Sequence, residues 1–135
     1  MANQFVKPTE AELEILHILW ANGAQSVREV NDKLNEKRTP SPNGVLRTVG
    51  YTTTLKTMQV MTEKGLVVRD DSARSHIYIA AMPQVETQRN LVNHFVESAF
   101  KGSAMQLVMQ ALGNHDASDN ELAEIKALIE SMEKK

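Results

Sequence analysis

Gly65 separates two incompatible backbone patterns, and that change constrains the fold more than any other feature of the chain. Before it, "YTTTLKTMQVMTEK" (51–64) winds as a helix with Met58 at the centre of one face. At about 100° per residue, Tyr51, Thr54, Leu55, Met61 and Thr62 fall within about 60° of Met58. After it, "LVVRDDSARSHIYIAA" (66–81) has β-branched runs on both sides of a polar "DDSARS", the pattern of a β-hairpin. The glycine itself reads as the C′ residue that ends the helix.

Two shorter helices precede this junction. Thr9 offers an N-cap and Glu12, three places on, completes a capping box; Leu13, Leu16, Ile18, Leu19 and Trp20 follow until Asn22-Gly23. Ser26 and Glu29 repeat the device, opening a helix with Val27, Val30 and Leu34 inward. "NEKRTPSPNGVLRTVG" (35–50), with two prolines and two glycines, reads as an extended loop. Helix, helix, loop, helix, hairpin is the order of a winged helix-turn-helix. Pro83 marks the expected boundary, giving a winged-helix domain over 1–82, with a loose tail over 1–8, and a helical module over 83–135.

In that module Leu91, Val92, Phe95, Val96, Ala99 and Phe100 share a stripe, and Ser103 with Gln106 makes a third capping box ahead of Leu107 and Val108. Ser118 with Glu121 caps a last helix expected to bury Leu122, Ile125, Leu128, Ile129 and Met132. Three helices in so short a segment are poorly placed to stabilise themselves, whereas pairing with a second copy would cover the stripes. The expected fold class is mainly α with a small β-hairpin wing: an N-terminal winged helix-turn-helix plus a C-terminal three-helix dimerisation module.

Composition narrows the function. With 41% hydrophobic and 24% charged residues the chain is expected to fold, and with 4% aromatic its core rests on aliphatic side chains and Met. Having no Cys excludes disulfides and thiolate metal sites. Nothing near the start resembles a signal peptide and no apolar run nears the length, about 20 residues, that spans a bilayer. A cytoplasmic protein without membrane insertion is expected. Formal charge is −2, unevenly spread: residues 37–76 hold seven basic and three acidic residues, whereas 83–135 hold five basic and eight acidic. A positive zone inside an acidic chain suits a nucleic-acid reader.

On the helix at 51–64, Thr52, Thr53, Lys56, Gln59 and Val60 lie opposite Met58, with Thr57 on the flank. Short hydroxyls and first-turn N–H groups can approach phosphates, Thr methyls can pack on thymine, Gln59 can bond a base edge and Lys56 adds charge. A merely solvated outer face fits this helix, taken alone, about as well; Arg74 in the hairpin turn, placed to reach a phosphate, favours the first reading. Enzyme chemistry finds no constellation. His17, His76, His94 and His115 are scattered, Ser98 and Ser103 lack a nucleophile elbow, and Asp70-Asp71 reads as a turn. No catalytic residue, metal or cofactor is expected.

"TEAELEILHILW" (9–20), "GYTTTLKTMQVMTEKGLVVRD" (50–70), "ARSHIYIA" (73–80), "FKGSAMQLVMQAL" (100–112) and "SDNELAEIKALIESM" (118–132) together resemble, in order, the BlaI/MecI penicillinase-repressor family. The related CopY-type copper repressors share the N-terminal part. The resemblance implies a homodimeric bacterial repressor whose winged helices bind a double-stranded palindromic operator, commonly with TACA/TGTA half-sites. Its C-terminal domain would dimerise, here through Leu91, Val92, Phe95, Val96, Leu107, Val108, Leu122, Ile125, Leu128 and Ile129. On the family pattern Tyr51, Thr52, Thr53, Thr54, Lys56, Thr57 and Gln59 fall on the DNA-facing helix and Arg74 on the wing.

In family members that control β-lactam resistance, a membrane sensor-protease pathway leads to cleavage of the C-terminal domain and release. Here the corresponding junction, Gln110-Ala111, lacks the usual Asn-Phe type pair. Val60 stands where the family often has Arg, and the absence of Cys excludes the CopY copper tail. The loop over 36–49 is longer than usual and carries Lys37, Arg38 and Arg47; added DNA-backbone contacts and a tolerated surface insertion both fit it. A competing function is a winged-helix protein–protein adaptor without sequence-specific DNA binding.

Overall fold

Helix α1 (Glu10–Asn22) begins at Thr9, whose hydroxyl accepts the Glu12 N–H at 3.2 Å while the Glu12 carboxylate accepts the Thr9 N–H at 2.9 Å. Gly23, at φ 79°, ends it. A two-residue strand, β1 (Gln25–Ser26), leads into α2 (Val27–Glu36), which opens with the same reciprocal box between Ser26 and Glu29. After a segment without helix or strand comes α3 (Tyr51–Lys64). Its end is a Schellman turn: Gly65 adopts φ 81°, its N–H reaches the Thr62 carbonyl, and the Leu66 N–H reaches that of Met61 at 2.9 Å. The hairpin follows as β2 (Val67–Asp70) and β3 (Ile77–Ala80). Three helices complete the chain: α4 (Gln84–Ser98), α5 (Ala104–Asn114) and α6 (Asp119–Glu133).

The computed structural model describes residues 5–72, 74, 76–114 and 116–134. The first four residues of the expected tail, Ala73 and Ser75 of the expected hairpin turn, His115 and Lys135 lie outside the described residues.

The sheet has the order β1-β3-β2, antiparallel throughout, with Gln25 opposite Tyr78 and Arg69 also opposite Tyr78 on the other side. Strand β1 has no counterpart in the sequence reading. Gln25 and Ser26 carry no β-branched side chain; Ser26 is extended as the N-cap of α2, and pairing with β3 makes the two residues a strand.

Residues up to Leu91 form one compact unit and those from Val92 a second, the division falling inside α4. The first unit has its own core, in which Ile15, Leu16, Ile18 and Leu19 of α1, Val27, Val30 and Leu34 of α2, and Met58 and Met61 of α3 pack with Val67 and Tyr78 of the hairpin. The Trp20 indole N–H is bonded to the Met82 carbonyl at 3.0 Å, and Thr87 of α4 is buried. The winged helix and the C-terminal helices expected from the sequence are therefore present. The second unit is different. None of its described residues is buried, and Leu122, Leu128, Ile129 and Met132, expected inward on α6, stand exposed. Phe100 lies beyond the end of α4, in the turn that precedes α5.

Candidate nucleic-acid interface

Because Met58 and Met61 anchor α3 to the core, the opposite face is fixed outward: Thr52, Thr53, Lys56, Gln59 and Val60 are all exposed. Tyr51, close to Met58 on the helical wheel and so expected inward, is 44% exposed, because it is the first residue of α3 and lies two turns from the Met58 contact. Thr57 is half-buried on the flank, and its hydroxyl donates back to the Thr53 carbonyl at 2.9 Å. Thr54 requires a correction. It is 1% exposed, and its Oγ1 accepts the Asn31 side-chain amide at 2.8 Å, so it cannot be a direct DNA contact. The 100° step had put it beside Met58, and packing obeys that step.

The start of α3 contrasts with those of α1, α2 and α6, each closed by a capping box. Its N-cap is Gly50, which has no side chain to accept from the first turn. The first-turn N–H groups thus lack a side-chain cap at the positive end of the helix dipole. Arg28 of α2 holds its guanidinium 5.3 Å from the centre of the Tyr51 ring, a cation–π contact. Arg28, Tyr51, Leu55, Arg74, His76 and Tyr78 line one cleft of about 350 Å³ between these helices and the wing. Arg28 was missed by sequence reasoning because it lies outside the basic zone. Its position in the first turn of α2, next to the first turn of the following helix in this fold, was the available signal.

The basic zone divides sharply. Lys64 is bonded to Glu12 at 2.8 Å, Arg69 to Asp71 at 2.7 Å, and Arg38 to Glu14 at 3.5 Å. The Asp71 carboxylate holds the Arg69 guanidinium above its ordinary pKa. Among the described residues Lys37, Arg47, Lys56 and Arg74 have no acidic partner within 4.0 Å. Arg47 is exposed in the loop before α3, and Arg74 at the wing. These cations keep their charge available.

The predicted dimer residues divide by exposure. Val92, Phe95, Val108, Leu122, Leu128 and Ile129 are exposed, whereas Leu91, Val96, Leu107 and Ile125 are half-buried. Gln110 and Ala111 are exposed in the interior of α5, where a peptide bond fits a protease cleft only after local unwinding. Of the histidines, His17 packs edge-on against Trp20 with ring centres 5.1 Å apart, and His76 lies 3.7 Å from Asp71. Among the described residues no three His, Asp or Glu side chains gather as a metal site, and no helix is long and apolar enough to cross a membrane.

The family model described as Penicillinase repressor matches residues 8–131. The chain is 20% identical over 130 residues to the methicillin resistance regulatory protein MecI of Mammaliicoccus sciuri, covering 96% of this chain and 98% of that one. It is 19% identical, with the same coverage, to MecI of Staphylococcus aureus strain N315.

Proposed function

The chain belongs to the penicillinase-repressor family, a family of transcriptional repressors, and from that premise we propose that it works as a homodimer on a palindromic DNA operator. In this reading each protomer lays α3 in the major groove of one half-site, with Thr52, Thr53 and Gln59 toward base edges and Lys56 toward phosphate. Arg28 and Arg74 grip the backbone from either side of the Tyr51 cleft, and Arg47 adds a contact from the loop. The observation that carries the reading is the cleft in which Arg28 and Arg74, neither with an acidic partner within 4.0 Å among the described residues, line the uncapped start of α3 at Tyr51, next to the exposed Thr52 and Thr53.

One protomer neutralises few phosphates, so alone it holds DNA weakly at cellular salt. Dimerisation makes the second half-site contact intramolecular and raises avidity by about 10²–10⁴ when the spacing fits. Repression then depends on pairing of the second units, and any event that breaks the pair releases the operator.

Fluorescence anisotropy on the duplex upstream of its own coding region, repeated across salt, tests this. Affinity should fall steeply as salt rises, and Lys56→Ala or Arg74→Ala should each reduce the magnitude of the log–log slope by about 1 without altering circular dichroism. No binding at low salt would instead favour the adaptor reading.

A further inference from the structure

Two asparagines four residues apart on α2 grip the backbone just before α3. Asn35 accepts the Val49 N–H on its Oδ1 at 2.7 Å and donates from Nδ2 to the Val49 carbonyl at 3.0 Å. Asn31 donates to the same carbonyl at 2.9 Å and to the buried hydroxyl of Thr54 at 2.8 Å. A single backbone residue is thus held through both of its polar groups, and the first turn of α3 through a third.

The position of this grip matters. Between α2 and α3 runs a segment of fourteen residues, 37–50, without helix or strand, and it ends at Gly50, which has no side chain to fix the angle of entry. Met58 and Met61 anchor the middle and end of α3 in the core, so the grip is what holds its first turn at the entry from that glycine. A carboxamide is suited to the task, since one side chain both donates and accepts. Asparagine is also a mediocre helix former, so Asn31, in the middle of the ten-residue α2, carries a cost in helix propensity, whereas Asn35 sits in its last turn.

We propose that Asn31 and Asn35 are positioning residues that set the placement of α3 on DNA, through their joint hold on Val49 and Thr54. This rests on the DNA-binding reading above. Attraction to phosphate depends on how many cations are available, and the clamp leaves that number alone. Operator preference depends on where Thr52, Thr53 and Gln59 meet the base edges, a matter of fractions of an ångström. Loss of the clamp therefore lowers the ratio of operator to non-specific affinity while leaving non-specific binding and its salt slope in place.

The test uses the full chain and two probes: a duplex enriched by the wild-type protein from a random-sequence pool, and a scrambled duplex of the same composition. Asn35→Ala should cut the affinity ratio at least tenfold, with unchanged binding to the scrambled duplex. A merely structural asparagine would lower the thermal midpoint and leave the ratio per folded molecule unchanged, which would overturn the clamp alone. A pool from which the wild type enriches nothing overturns the operator reading and this proposal with it. Should Asn35→Ala fail to fold, amide exchange in the wild type decides. Protection of the Val49 N–H comparable to the interior of α2 supports the clamp, and exchange at the rate of an open loop refutes it.

Discussion

Glu12 serves two structures with one carboxylate. Oε1 accepts the Thr9 N–H of the α1 capping box, and Oε2 accepts the Lys64 ammonium from the last turn of α3. The side chain is 5% exposed, so burial pushes its pKa upward; the Lys64 ammonium and the Thr9 N–H together outweigh burial and hold it below the ordinary 4.5. A depressed carboxyl pKa stabilises the folded chain above its unfolded value, and that contribution is lost as pH falls through the folded one. Glu12→Gln keeps a cap acceptor and loses the ion pair. It should cost about 1–2 kcal/mol at neutral pH, and thermal midpoints of variant and wild type should converge as pH falls below about 4.5. A gap that stays constant to low pH would contradict the pairing. Thr54→Val tests the neighbouring contact: it keeps the volume but strips the acceptor from a buried amide, so a loss of about 1–3 kcal/mol is expected at an unchanged denaturant m-value. At this scale the chain was partly legible. The helical wheel buries Thr54, whereas the family pattern had carried it to the DNA face. Asn31 and Asn35 gave no comparable signal, since their partner is a backbone residue 14 to 18 positions away.

Elements whose ends are decided by neighbours within four residues were read well from sequence. The boxes at Thr9, Ser26 and Ser118 satisfy N–H groups that only a helix start leaves free, and Gly23 and Gly65 supply the positive φ that ends α1 and α3. The box expected at Ser103 forms by half, with the Gln106 N–H on the Ser103 hydroxyl at 3.2 Å and the Ser103 N–H on the Phe100 carbonyl. At Gly65 an added Cβ would meet no atom within 4 Å, so the cost of Gly65→Ala is conformational alone. Forcing alanine into the left-handed region should cost about 1–2 kcal/mol, which for a unit of this size is a drop of about 4–16 °C in thermal midpoint by calorimetry. Gly65→Asn should recover part of it, since asparagine tolerates that region better; equal losses for both would point to a packing role. Strand β1 was illegible for the opposite reason. Ser26 is extended as the N-cap of α2 in any case, but it and Gln25 become a strand because Tyr78 and Ile77 of β3, more than fifty positions later, accept them as a third strand. Register between distant strands is settled by burial of Tyr78 against the helices, and that is tertiary information.

The two units differ in what they can stabilise alone. The first has a closed core and extends past Pro83: Met82 offers its carbonyl to Trp20, and Thr87 of α4 is buried. A cut after residue 82 would remove that turn of α4, whereas a cut after Leu91 leaves the first unit whole. The second unit carries apolar stripes with nothing buried behind them; Leu128, for example, is 60% exposed. Such stripes were legible as hydrophobic periodicity, but periodicity names a face to be covered without naming what covers it. Soluble chains rarely leave extended apolar patches in water, which supports a second copy as the cover. Leu128→Asp would place a charge inside that contact, where desolvation opposes it. Sedimentation should show monomers, circular dichroism should be retained, and operator affinity should fall by about 10²–10⁴, the avidity of the second half-site. The chain ending at Leu91 should behave alike on DNA because it has lost the same coupling. A monomeric variant that binds the operator as tightly as wild type would mean that the first unit grips DNA without a partner, and pairing of the second units could not then control release.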